Sequence, residues 1–138
     1  MKYLMTATGR DFFAELERRD MGLSQVKTLQ ILTEAEGPVP ITAISDSLGL
    51  SVPTVSRSVE ALVCRELASR TEDPSDRRSK LVRITAKGRR TADQLYALRA
   101  AGLREWVQSL TPEEREALAQ GLRPLAQRDD VAAHLPRR

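Results

Sequence analysis

Asp73-Pro74-Ser75-Asp76-Arg77-Arg78-Ser79-Lys80-Leu81-Val82-Arg83-Ile84-Thr85-Ala86-Lys87-Gly88 is the stretch that decides how this chain folds. Asp at the first position of Asp73-Pro74-Ser75-Asp76 and Pro at the second predict a type I turn. Leu81, Arg83 and Ile84 against Lys80 and Val82 read as a short strand, which Thr85 ends by capping a helix. Leu67 to Thr71 is the expected partner strand, so the segment reads as a hairpin with a charged tip. Two adjacent arginines at such a tip suit a narrow minor groove, where the potential is most negative. Asp76 is placed to hold one guanidinium by a bidentate pair. The hairpin therefore reads as the wing of a DNA-binding domain.

Upstream, punctuation divides the chain into helices. Phe12, Phe13 and Leu16 lie among charged residues in a first amphipathic helix that Gly22 is expected to end. Ser24 is the expected cap of a second helix with Val26, Leu29, Ile31 and Leu32 inside, stopping at Gly37-Pro38. A third begins near Pro40 and runs to Gly49, whose tolerance of positive φ suits a tight turn. Ser51 then caps a fourth with Pro53 in its first turn. Two short helices joined by a glycine-containing turn make a helix-turn-helix. At about 100° per residue, Val55, Val59, Leu62 and Val63 share one face of the fourth helix. Pro53, Arg57, Glu60 and Cys64 recur on the other. Ser51, Pro53, Thr54, Ser56, Arg57 and Ser58 crowd its amino end, where a recognition helix meets base edges and phosphate. Ser51 and Pro53 also have a plain capping role open to them, whereas Arg57 reads as a DNA contact.

Downstream, apolar residues keep helical spacing from Ala86 to about Ser109, a span of roughly 35 Å. Thr111-Pro112-Glu113-Glu114 then predicts a capping box, followed by a last helix whose buried stripe is expected to be Leu118, Leu122 and Leu125. The first helix and these last two carry more apolar stripe than one short winged domain can cover, which points to a dimer interface.

Composition narrows the function. The 138 residues are 41% hydrophobic with a net charge of +3, enough for one domain or a small domain completed by a partner. Residues 65 to 90 hold nine Lys or Arg against four acids, a local +5 that leaves −2 for the rest. A basic stripe on a near-neutral body is the electrostatic footprint of a nucleic-acid binder, although a charge run also serves as a solvated face. One cysteine, Cys64, allows no internal disulfide and no cysteine-based zinc cluster, and fits a reducing cytoplasm. No secretory leader or membrane span is expected. One histidine, His134, is read as a surface residue. No metal spacing, phosphate loop or nucleophile motif appears, so neither an enzyme nor a cofactor is expected. Aromatic content of 4% argues against single-strand or RNA stacking.

From Leu23 to Gly88 the chain closely resembles the multiple-antibiotic-resistance regulator (MarR) family of winged helix-turn-helix transcription factors. The resemblance rests on Leu23-Ser24-x-Val26, on Leu48-Gly49-Leu50-Ser51-x-Pro53-Thr54-Val55-Ser56-Arg57, and above all on the Asp73 to Gly88 wing. It implies a mainly α fold with a small β-hairpin wing, a single domain over 1–138. Residues 23–85 are its winged helix-turn-helix DNA-binding region, and 1–22 and 86–138 its dimerisation helices. It further implies a homodimeric, cytoplasmic repressor on a roughly palindromic double-stranded operator, with half-sites about 34 Å apart. Ser51, Thr54, Ser56 and Arg57 fall on reader positions, and Asp76 with Arg78 on the wing pair, with Arg77 and Lys80 as phosphate contacts. Many relatives respond to a small aromatic or phenolic effector, for which Phe12, Phe13 and Tyr96 are candidate pocket residues. Glu66 stands where the family usually has Gly, which predicts a non-glycine residue at positive φ at a cost of roughly 1 kcal/mol. Two other readings stay open here: a winged domain used for protein contact without specific DNA binding, and a redox-sensing regulator acting through Cys64.

Overall fold

The computed structural model describes residues 2–74 and 79–132. The element order is α1 (Lys2–Arg18), α2 (Leu23–Glu34), β1 (Val39–Pro40), α3 (Ile41–Leu48), α4 (Val52–Cys64), β2 (Ala68–Glu72), β3 (Lys80–Ile84), α5 (Ala86–Ser109), α6 (Pro112–Ala126) and α7 (Asp129–Ala132). This is the mainly helical winged fold the hairpin predicts. None of the described helices is long and apolar enough to cross a membrane.

The core forms where α2, α3 and α4 meet the sheet. Leu29 and Leu32 of α2, Ile44 of α3, Val55, Val59 and Leu62 of α4, and Val82 of β3 are all buried. The helical periodicity of the sequence located the helical members of this set because spacing of three and four puts them on one face. Val82 is the fully buried residue of β3 and Arg83 is exposed, with Leu81 and Ile84 half-buried.

Strand order is β1-β3-β2, antiparallel throughout, and β2 pairs with β3 from Ala68↔Ile84 to Glu72↔Lys80. The third strand, β1, pairs Val39 with Val82 and Pro40 with Leu81. Two residues carry no alternation to read, and here tertiary pairing rather than sequence pattern makes the strand.

Helix ends obey capping chemistry unevenly. Thr85 Oγ1 accepts from Gly88 N at 2.9 Å and starts α5. Thr111 and Glu114 form the full capping box of α6. Ser24, by contrast, does not cap α2: that position belongs to Gly22, which has no side chain to offer. Nor does Gly22 make the turn after α1, because Asp20 takes the left-handed conformation there, with φ of 48°. Aspartate is among the few side chains that tolerate it.

Glu66, with φ of 61°, makes the corresponding turn between α4 and β2, as the sequence predicted. Its carboxylate is then held by Lys87 Nζ at 2.9 Å, which lowers its pKa by hydrogen bonding and by charge. Gly88, one helical turn into α5, sits against this same corner. A Cβ there would stand 1.9 Å from the Leu67 carbonyl oxygen. Only a residue without a side chain lets α5 pack so closely on the entry to the wing.

Candidate nucleic-acid interface

The turn between α3 and α4 is built around Gly49, whose φ of 63° is the left-handed closure the sequence predicts. Leu50 N donates to Ser45 O at 3.2 Å and Ser45 Oγ donates to Leu50 O, so the turn is pinned from both sides. Ser51 occupies the cap position of α4, but its Oγ pairs with Thr54 Oγ1 at 2.9 Å instead of a backbone amide. The first-turn amides of α4 thus lack a side-chain cap and remain available to an anion, where the helix dipole favours one.

Around that end Ser51, Val52, Pro53 and Arg57 are exposed, and Thr54 and Ser56 are half-exposed. No carboxylate among the described residues pairs with Arg57. Ser58 faces the other way. It is buried, and its Oγ donates to Ser24 Oγ on α2 at 2.9 Å. A hydroxyl at that position belongs to the α2–α4 packing and does not reach the surface that the rest of the set shares. Val52 is the residue that sequence reasoning passed over. It is apolar yet 45% exposed, and its place off the Val55, Val59 and Leu62 stripe is the signal that could have found it.

The carboxyl end of α4 is anchored just as firmly. Arg65, its C-cap, donates to Arg19 O and Asp20 O, each at 2.8 Å, and so ties α4 to the end of α1. Arg19 in turn donates to Gln94 of α5 at 2.9 Å, and with Arg18 it holds Glu15. Hydrogen bonds from Arg18 and Arg19 bring the Glu15 pKa down to about 2.

The wing extends from β2 and β3. Its ladder reaches the Glu72↔Lys80 pair, and Asp73 N donates to Ser79 O at 3.1 Å beyond it. Asp76, Arg77 and Arg78, the tip assigned from sequence, lie outside the described residues, as does His134. Lys80 stands at the base of the tip with its Nζ 2.6 Å from Glu72 Oε1, and this contact lowers the Glu72 pKa.

The basic stripe is therefore partly spoken for: Arg65 bonds the Arg19 and Asp20 carbonyls after α1, Arg70 pairs with Glu60, Lys87 with Glu66, and Arg89 reaches Thr33 O. Exposed pairs of this kind contribute only about 0–1 kcal/mol, so phosphate can exchange for the carboxylate at Lys80 at little cost.

Of the pocket candidates, Phe12 and Tyr96 line one cavity of about 380 Å³ between α1, α2 and α5. Phe13 does not. It meets Phe12 edge-on at 5.4 Å but faces a second depression with Leu16, Met21 and Leu23. Tyr96 is a rim residue, 77% exposed, and not part of the core stripe of α5. Cys64 is exposed on the outer face of α4.

The profile of the MarR family matches residues 22–80, which run from the start of α2 through the wing to the first residue of β3. Over that segment the chain is similar to the MarR family, and its fold is the winged helix-turn-helix fold of that family's solved members. Among curated relatives, an HTH-type transcriptional regulator of Bacillus subtilis, YfiV, is 26% identical over 119 residues, 86% of this chain and 74% of that protein. The fold is that of YusO from B. subtilis, with a TM-score of 0.78 at 22% identity, covering 91% of this chain and 89% of that one. It is also that of a mutant of MepR from S. aureus bound to an oligodeoxyribonucleotide, with a TM-score of 0.73 at 22% identity, covering 90% and 91%. The helices that flank the MarR-matched segment thus have counterparts in whole solved chains.

Proposed function

We propose that this chain acts as a homodimer on a roughly palindromic double-stranded operator. In this reading α4 enters the major groove and the tip between β2 and β3 enters the flanking minor groove. The observation that carries the reading is the amino end of α4, where Ser51, Thr54, Ser56 and an Arg57 with no carboxylate partner among the described residues surround uncapped amides. Hydroxyls and amides there suit phosphate, Arg57 suits guanine or phosphate, and Val52 suits a thymine methyl group. Arg77, Arg78 and Lys80 are assigned to the minor groove and its phosphates, with Asp76 orienting Arg78. Ser58 is left out of the reading set because its hydroxyl is committed to Ser24.

Dimerisation is supported by apolar surface that nothing among the described residues covers. Helix α6 has no buried side chain, and Leu122 and Leu125 are each 49% exposed. A small effector in the cavity between α1, α2 and α5 is the proposed release signal, since α2 both lines that cavity and holds α4 through Ser24.

Arg57→Ala is expected to cost about 1–3 kcal/mol of operator affinity and to relax discrimination against random duplex. Its thermal midpoint should not change, because the side chain is exposed. Arg78→Ala is expected to weaken operator binding comparably while the protein stays dimeric. Anisotropy titrations of both variants on operator and random duplexes check this. Unchanged operator preference in Arg57→Ala means that another surface reads the bases.

A further inference from the structure

The cavity between α1, α2 and α5 carries a charge pattern that selects among effectors. Its apolar walls come from Phe12, Val26, Ala92 and Leu95, with Tyr96 at the rim. Three charged residues also line it: Glu34 at the end of α2, and Asp93 and Arg99 on α5. Arg99 is already engaged, its guanidinium carbon 5.6 Å from the centre of the Phe12 ring, within reach of a cation–π contact. Glu34 accepts one amide hydrogen from Gln30 through Oε1 at 3.1 Å. Among the described residues no cation pairs with Glu34 or with Asp93.

An aromatic acid or phenolate entering this cavity brings negative charge up to two carboxylates, Glu34 and Asp93, against the single positive charge of Arg99 in the same lining. An aromatic body bearing a cation finds the reverse. Two carboxylate acceptors and the exposed Tyr96 ring at the rim favour positive charge, while the apolar walls take up the rings. We propose that the effector is an amphipathic organic cation, an aromatic ring system carrying a protonated amine or a quaternary nitrogen, and not a phenol or an aromatic carboxylate. This rests on reading the cavity as the effector site.

Two probes of one shape and opposite charge test it: 2-naphthylmethylammonium and 2-naphthoate, titrated calorimetrically into the full chain near neutral pH. The cation is expected to bind about tenfold more tightly than the anion, each solvated ion pair contributing a factor of a few. In the Glu34→Gln, Asp93→Asn double variant that preference should vanish while the thermal midpoint holds, since both carboxylates are exposed. Equal or tighter binding of the anion overturns the charge argument and leaves the effector site standing. A cation preference that survives in the double variant overturns it too, by placing the cation elsewhere. Binding of neither probe removes the effector-site reading itself, and the proposal with it.

Discussion

Gly88→Ala is expected to lower the stability of the protein by about 3 kcal/mol or more, through forced displacement of packed backbone. The added methyl carbon would stand 1.9 Å from the Leu67 carbonyl oxygen, with the Leu67 carbonyl carbon at 2.9 Å and Ile84 Cγ1 at 3.0 Å. Ile84 can adjust its rotamer, but the carbonyl cannot move freely. The same oxygen accepts from Thr85 N at 3.1 Å, and Thr85 Oγ1 donates to Glu66 O at 2.7 Å. Relief therefore means shifting the start of α5 away from the wing and loosening the left-handed turn at Glu66. A thermal midpoint roughly 10 °C lower follows for a domain of this size. Gly37→Ala is the matched control, because a Cβ there meets nothing within 4 Å. A melt in which Gly88→Ala and Gly37→Ala behave alike contradicts the close approach.

The second large effect concerns the carboxyl-terminal helices. Replacing Leu122 and Leu125 together by Glu is expected to leave each chain folded, since α6 supplies no buried side chain, and to abolish the dimer. The two leucines lie three residues apart on one face of α6, close to the half-exposed Leu118, and like charges introduced there repel across a two-fold axis. Operator affinity should fall about a hundredfold or more, because the second half-site contact is no longer tethered to the first. Light scattering gives the oligomeric state and anisotropy gives the affinity. A variant that remains dimeric places the interface elsewhere.

These two sites differ in how far the sequence revealed them. Leu118, Leu122 and Leu125 were legible as a stripe because spacing on a helix is local information, although nothing in one chain says what covers it. Gly88 was legible only as part of a motif. Its reason is the approach of the Leu67 carbonyl, a contact across twenty-one residues that no local rule contains.

The same division runs through the candidate interface. Gly49, Thr85 and the Thr111 box behaved as read, since turn and cap chemistry acts within four residues. Glu66 at positive φ was also anticipated. Ser58 was misread because its hydroxyl is drawn to Ser24, thirty-four residues away, and helical angle alone places it near the boundary of the exposed face. Asp20 rather than Gly22 turns the chain after α1, where the Arg65 guanidinium bonds the carbonyls of Arg19 and Asp20 and so fixes the corner. The basic stripe overstated the charge available to DNA. Carboxylates and helix-end carbonyls from distant segments occupy several of its members, and a linear count cannot show those partners.

Operator reading is assigned to a dimer acting through α4 and the wing. Its most direct test is fluorescence anisotropy of the full chain on palindromic duplexes from the DNA upstream of its own coding region, beside random duplex, over a range of salt. Saturation is expected at two protomers per duplex, with binding about a thousandfold or more tighter than to random sequence and a logarithm of affinity that falls linearly with the logarithm of salt. Equal affinity for palindromic and random duplexes contradicts that assignment.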